Sequence, residues 1–287
     1  MTLRIRIGTR RSALALWQAR HIGTLIEAGA PGRFTVELVE ITTRGDGFLA
    51  GPLPEGGGKG LFTRELEQAL LRGEADAAIH SAKDLPGEMV PGLVIAGYLP
   101  REDPRDTLVL RTGVSAPATL ATGSPRRRHQ AAMLFVNLEF TEIRGNVDTR
   151  LRKIGDLKVA DGTILAAAGL KRLGITSWPG VEFHPIGVES MVPAVGQGAI
   201  AVQCRSGDEG RFAGALDAAT ARGLALERAL QTALGGGCHT ALGAYATRDS
   251  LYFFHENVGL RTIPLAESDF SEPAAAARRI LGTLKLI

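Results

Sequence analysis

Cysteine is scarce in this sequence, with only Cys204 and Cys238 among 287 residues. Two thiols are too few for a disulfide framework or a structural zinc site, and His239 beside Cys238 does not supply metal-ligand spacing. Aromatic residues make up only 5% of the chain and no basic stripe is interleaved with them, so the pattern of a nucleic-acid binder is missing. No segment stays apolar long enough to span a bilayer. The opening MTLRIRIGTR alternates Leu3, Ile5 and Ile7 with Arg4 and Arg6, where a signal peptide needs an apolar run. A cytoplasmic protein with reduced thiols is the expectation. Neither sign of charge dominates: the net charge is +3, which hints at an anionic partner without identifying it.

Apolar residues at 45% and charged residues at 22% fit a globular chain, long enough for two or three domains. Strand-like and helix-like patterns alternate along it. Residues 3–7 read as a strand, the stretch from Ser12 as a helix and 34–41 as a strand, followed by a Gly/Pro-rich loop, GDGFLAGPLPEGGGKG. A helix at 61–72 and the strand ADAAIH come next, then SAKDLP, where Pro86 stops easy continuation of a helix. The polar stretch REDPRD, 101–106, is a candidate crossing point between domains. Beyond it the strand TLVL, helices at 125–136 and 147–154, and the strand-plus-turn GTILAAAGLKRLG repeat the alternation. A helix near 211–232, strands LGAYA and LYFFH and a helix in EPAAAARRILGTL close the chain. Two α/β lobes and a smaller α+β tail domain are expected.

The distribution of arginine is more informative than its amount. A helix N-terminus already carries about half a positive charge, so acids favour it and bases do not. Three helix starts here carry bases instead. Arg10 and Arg11 precede the cap candidate Ser12; Ser124 and Pro125 precede Arg126, Arg127 and Arg128; Arg144 precedes Asn146, with Arg150 one turn on. Any one of them could point into water or pair with a neighbouring acid. Three together, each after a strand-like run, suggest a site for carboxylates or phosphates. Phosphate loops fail on inspection: GGGKGLF has Gly60 where Ser or Thr is needed and Leu53 where Gly is needed, and GQGAIA lacks the final glycine of a dinucleotide fingerprint. Carboxylates suit paired arginines equally well.

HSAKDLP places Lys83 and Asp84 at a strand end. They are either a surface pair at a turn or an acid among bases, able to hold a cationic intermediate or relay a proton. Cys204, in the apolar run GAIAVQC, reads as a packed core thiol. Cys238 follows three glycines that let another molecule approach the sulfur.

The segments TRRSALALWQ, TRGD, GGKGLF, HSAKDLP, REDPRD, SPRRR, RGNVDTRL, LAAAGLKRLG, PAVGQGA and GGC, in this order from about residue 3 to 245, resemble the porphobilinogen deaminase (hydroxymethylbilane synthase) family. The resemblance implies two periplasmic-binding-protein-like, doubly wound lobes with a central cleft and a small α+β C-terminal domain. Their spans would be 1–100 with 199–216, 105–193, and 217–287. It implies a transferase that joins four porphobilinogen molecules head to tail, with loss of ammonia, on a dipyrromethane cofactor bound to Cys238 through a thioether. Hydroxymethylbilane is then released by water.

Carried over residue by residue, the resemblance makes Asp84 catalytic. It gives Ser81, Lys83, Asp84, Thr122, Ser124, Arg126 and Arg127 to the cofactor, and Arg10, Ser12, Arg144, Gly145, Arg150 and Gln197 to the substrate and elongation path. Lys59 and Phe62 would belong to a loop covering the site, and His80 reads as structural. No metal, nucleic acid or membrane is implied, and the family suggests a monomer. The chain departs from the pattern at Gly123, where Ser is frequent, at Pro125, where Leu is common, and at Ala241, where Pro is frequent.

Overall fold

The computed structural model describes residues 2–43, 63–235 and 240–287. The chain divides into two compact units, 1–102 with 199–222 and 103–198 with 223–287.

The first unit is built on strands β1 (Leu3–Thr9), β2 (Phe34–Glu40), β3 (Ala77–Ser81), β4 (Leu93–Tyr98) and β10 (Ile200–Arg205), in the order β2-β1-β3-β10-β4. β1 runs parallel to β2 and β3, whereas β10 is antiparallel to both of its neighbours. Alternation along the strands gives the sheet two apolar faces. Ile5, Ile7, Ala77 and Ile79 pack with Ile22 and Ile26 of helix α1 (Ala13–Gly29), while Ala78 and Leu93 pack with Leu66 and Leu70 of helix α2 (Arg64–Leu71). Cys204 lies in the first of these clusters, fully buried, as its apolar run suggested, and burial pushes its thiol up to about 11.

The second unit repeats this plan with β5 (Asp106–Arg111), β6 (Thr119–Ala121), β7 (Glu139–Thr141), β8 (Gly162–Ala166) and β9 (Val181–Pro185), in the order β7-β6-β8-β5-β9. β6 is parallel to β7 and β8, and β5 is the antiparallel strand. Leu108, Leu120 and Ile164 face Ala131 of helix α3 (Pro125–Leu134). Val109 and Ala121 face Leu151 and Ile154 of helix α4 (Val147–Gly155). Helices on both faces make each sheet a doubly wound lobe. A short helix α5 (Ala167–Arg172) follows β8 directly.

At the C-terminal end, β11 (Leu242–Ala246), β12 (Ser250–His255) and β13 (Gly259–Pro264) form an antiparallel meander. Leu251 and Phe253 pack with Leu226 and Leu230 of helix α6 (Ala218–Ala233). The same core takes Ala277, Ile280 and Leu281 from the closing helix, Pro273–Thr283.

The helix expected near 211–232 is displaced. Residues 209–211 and 213–215 form separate 3-10 turns, and the helix proper begins at Ala218 because Asp217 caps it, accepting from the Thr220 N–H at 2.6 Å. The helix expected over 125–136 stops at Leu134, since Phe135 is already extended. Strands β4, β9 and β13 were not expected.

Candidate anion-binding site

Each lobe brings its expected residues to the carboxyl edge of its own sheet, the edge at which open α/β sheets take ligands. In the first unit β1 and β3 are neighbours in parallel, so Arg10 and Ser12, which follow β1, and Ser81, Lys83 and Asp84, at the end of β3, leave from one edge. Ser12 caps α1, its hydroxyl accepting from the Ala15 N–H at 3.3 Å, and no acid stands in that first turn. Gln18, one turn further on, donates to Ser81 Oγ at 3.0 Å and so ties α1 to the end of β3. After Ser81 the chain turns through one 3-10 turn, Ala82–Asp84, with Ala82 and Leu85 buried on either side. This leaves Lys83 half-buried and the Asp84 side chain exposed.

Behind this edge lies a polar chain that the sequence reading did not foresee. His80 is buried and Nε2 lies 3.0 Å from Gln203 Oε1; Gln203 Nε2 in turn donates to Glu67 Oε1 at 3.3 Å. An amide oxygen can only accept, so His80 holds its proton on Nε2. Burial, with a smaller contribution from the positive charge of Arg10, pushes its pKa down to about 4, and the ring is neutral. The structural part expected of His80 is what the geometry gives it.

In the second unit β6 and β7 are the parallel neighbours, so Thr122, Ser124, Arg126 and Arg127 follow one strand and Arg144, Gly145 and Arg150 the other. Ser124 caps α3, accepting from the Arg127 N–H at 3.4 Å, with Pro125 at the first helical position. Thr122 is buried and its hydroxyl accepts from the Ser124 N–H at 3.2 Å.

The basic residues of this helix start do not all face a ligand. Arg126 and Arg127 are buried and share one fully buried carboxylate, Asp106: Arg126 Nη2 lies 2.8 Å from Oδ2, and Arg127 Nη2 lies 2.7 Å from Oδ1. Burial lowers the Arg126 pKa from its ordinary value, and Asp106 works against that shift. Two guanidiniums on one carboxylate leave the trio with one net positive charge. Arg128 is engaged elsewhere, donating from Nε to Thr122 O at 2.9 Å and pairing with Glu142.

The third helix start differs from the other two, which corrects the expectation of three alike. Asp148 stands in the first turn of α4, so the dipole there already has its acid, and Arg150 turns back to donate from Nε to Gly145 O at 2.8 Å. Gln197, expected on the substrate path, is fully buried and donates to Pro104 O at 2.8 Å and to Asp106 Oδ1 at 3.0 Å. A Cβ on Gly123 would lie 2.9 Å from Glu142 Oε2. The frequent serine at that position would therefore have to displace the carboxylate that pairs with Arg128. Ala241 is fully buried against Val192 and Phe254. Cys238, Lys59 and Phe62 lie outside the described residues.

Sequence reasoning missed Asp106 and Glu142. The signal for Asp106 was present: an acid at the mouth of the apolar run TLVL, in a segment read only as a linker.

The family model for "Porphobilinogen deaminase, dipyromethane cofactor binding domain" matches residues 5–212. The chain belongs to the porphobilinogen deaminase family. It is 45% identical to a porphobilinogen deaminase of Syntrophotalea carbinolica, over 85% of this chain and 78% of that one. It is 42% identical to one of Sorangium cellulosum, over 98% and 92% of the two chains. A third, from Roseiflexus castenholzii, is 44% identical over 84% and 80%. The family places a transferase chemistry and a dipyrromethane-binding domain on these lobes. Among the described residues no helix is long and apolar enough to cross a membrane, and no cluster of His, Cys, Asp and Glu could hold a metal ion.

Proposed function

We propose that this chain is a hydroxymethylbilane synthase, joining four porphobilinogen molecules head to tail with loss of ammonia and releasing hydroxymethylbilane. The observation that carries the reading is the buried pair Arg126 and Arg127 at a helix start, with a single internal carboxylate between them, in a chain of this family. Each pyrrole ring of substrate and cofactor brings an acetate and a propionate. A site with surplus guanidinium charge, a helix N-terminus and hydroxyl groups nearby matches that donor requirement.

Cys238 would hold the dipyrromethane through a thioether, with Ser81, Lys83, Thr122, Ser124, Arg126 and Arg127 binding its carboxylates. When bound, the group supplies the primer on which the chain grows. Arg10, Ser12, Arg144, Gly145 and Arg150 serve the incoming ring and the elongation path, and Lys59 and Phe62 belong to a covering loop. Asp84 is the catalytic residue. Its exposed carboxylate accepts pyrrole N–H groups, stabilises the positive charge that develops as ammonia leaves porphobilinogen, and takes part in proton transfer. Fixed in a 3-10 turn between buried Ala82 and Leu85, it needs little reorganisation to do so. Gln197, buried and bonded to Asp106, supports this machinery rather than lining it.

The same reading divides the chain into domains 1–100 with 199–216, 105–193 and 217–287, and makes the protein a cytoplasmic monomer. Intact-protein mass spectrometry tests the central claim. The purified chain should be heavier than its sequence by one dipyrromethane, and heavier still by whole pyrrole units after brief exposure to porphobilinogen. A bare mass, unchanged by porphobilinogen, refutes it.

A further inference from the structure

Asp106 is the carboxylate on which both guanidiniums of the cofactor half end. It is the first residue of β5, registered against Ala166 at the carboxyl end of β8, and it is fully buried. Arg127 approaches Oδ1 with two nitrogens, Nη2 at 2.7 Å and Nε at 3.1 Å, while Arg126 approaches Oδ2 with Nη2 at 2.8 Å. The opposite branch of Arg126, Nη1, donates to Val192 O at 2.6 Å. Gln197 Nε2 donates to the same Oδ1 at 3.0 Å and to Pro104 O at 2.8 Å. A guanidinium is a planar fork, so the two bonds of Arg127 to Oδ1 set the direction of its plane, while Arg126 is held by the ion pair to Oδ2 and the bond to Val192 O. Among the described residues that hold these two forks, Asp106 is the one that carries negative charge.

We propose that Asp106 is a positioning residue for carboxylate recognition: it holds Arg126 and Arg127 at one spacing and, through Gln197, references them to the backbone at Pro104, without itself touching the ligand. Its full burial keeps it from any ligand, and the shared oxygen Oδ1 makes the aim of Arg127 depend on Gln197. The proposal rests on the reading that Arg126 and Arg127 hold the dipyrromethane carboxylates.

Full-length wild type, Asp106→Asn, Asp106→Glu and Gln197→Leu, purified in parallel, test it by intact mass, thermal melting and the KM and kcat for porphobilinogen. Wild type should carry the cofactor; a bare wild type refutes the functional reading itself and is seen before any variant is compared. In the folded fraction of Asp106→Asn the share carrying cofactor should fall at least tenfold. Asp106→Glu, which keeps the charge, should recover part of it. Gln197→Leu should keep most of its cofactor while KM rises several-fold and kcat stays within twofold. A folded Asp106→Asn protein with wild-type loading and KM overturns the proposal, as does any set of variants that loses only melting temperature. If Asp106→Asn is recovered unfolded, wild-type loading and KM in both Asp106→Glu and Gln197→Leu overturn it equally.

Discussion

Replacing His80 by glutamine should change how this protein responds to acid, and the size of the change follows from the burial of the ring. In the unfolded chain a histidine takes up a proton near pH 6.5, whereas in the fold His80 refuses it until about pH 4. Protonation therefore favours the unfolded chain. The contribution of the neutral ring is intact above pH 6.5 and is lost as the pH falls from 6.5 toward 4. The total loss is about 3 kcal/mol, of which about 2 kcal/mol falls between pH 7 and pH 5. The groups that face the ring are Gln203, with Glu67 behind it, and the charge of Arg10.

Glutamine does not titrate and retains an N–H to offer Gln203 Oε1, so His80→Gln should lose about 2 kcal/mol less than wild type over that interval. Urea unfolding of both proteins at pH 7, 6 and 5 measures this. Carboxylates such as Asp76, Asp161 and Asp269, which their partners hold below the usual range, destabilise both proteins alike on acidification and cancel in the difference. A wild-type-minus-variant difference that stays constant within about 0.5 kcal/mol from pH 7 to 5 refutes the reasoning.

Asp84→Asn should retain a folded, cofactor-bearing protein but lower kcat by about 10²–10³, the usual cost of losing one preorganised electrostatic group. A steady-state rate within tenfold of wild type would remove Asp84 from the catalytic role. Ser124→Ala deletes the cap on the helix start that carries Arg126 and Arg127, and chemical denaturation should show a loss of about 1 kcal/mol. If Cys238 carries the cofactor as proposed, native thiol titration should find no reactive cysteine, because Cys204 is buried with its thiol pushed up to about 11 and the Cys238 sulfur would be a thioether. Denaturation should then release one thiol; two would show Cys238 to be unmodified.

The sequence made the alternating lobes legible, because period-two and period-3.6 patterns are local. It also placed the caps Ser12 and Ser124, since a hydroxyl before an apolar stripe satisfies N–H groups within three residues of itself. Short or marginal elements escaped it. β4 and β9 are edge strands, and β13, exposed at half of its positions and nowhere buried, has little apolar alternation to read. The start of α6 was missed because the cap Asp217 lies beyond two turns whose composition resembles a helix.

By itself the sequence determined which residue types occur at each helix start, and therefore that positive charge accumulates where strands give way to helices. Only the tertiary structure decided which of those charges are already answered. Asp106, some twenty residues before Arg126 and Arg127, reaches them because antiparallel β5 starts at the carboxyl edge of β8, and Gln197 reaches Asp106 from about ninety residues further along. Pairing between distant segments is set by sheet order and register, which leave no local mark in the residues they join. Composition could count the arginines, but a burial-dependent balance of charge exists only after the chain has folded around it.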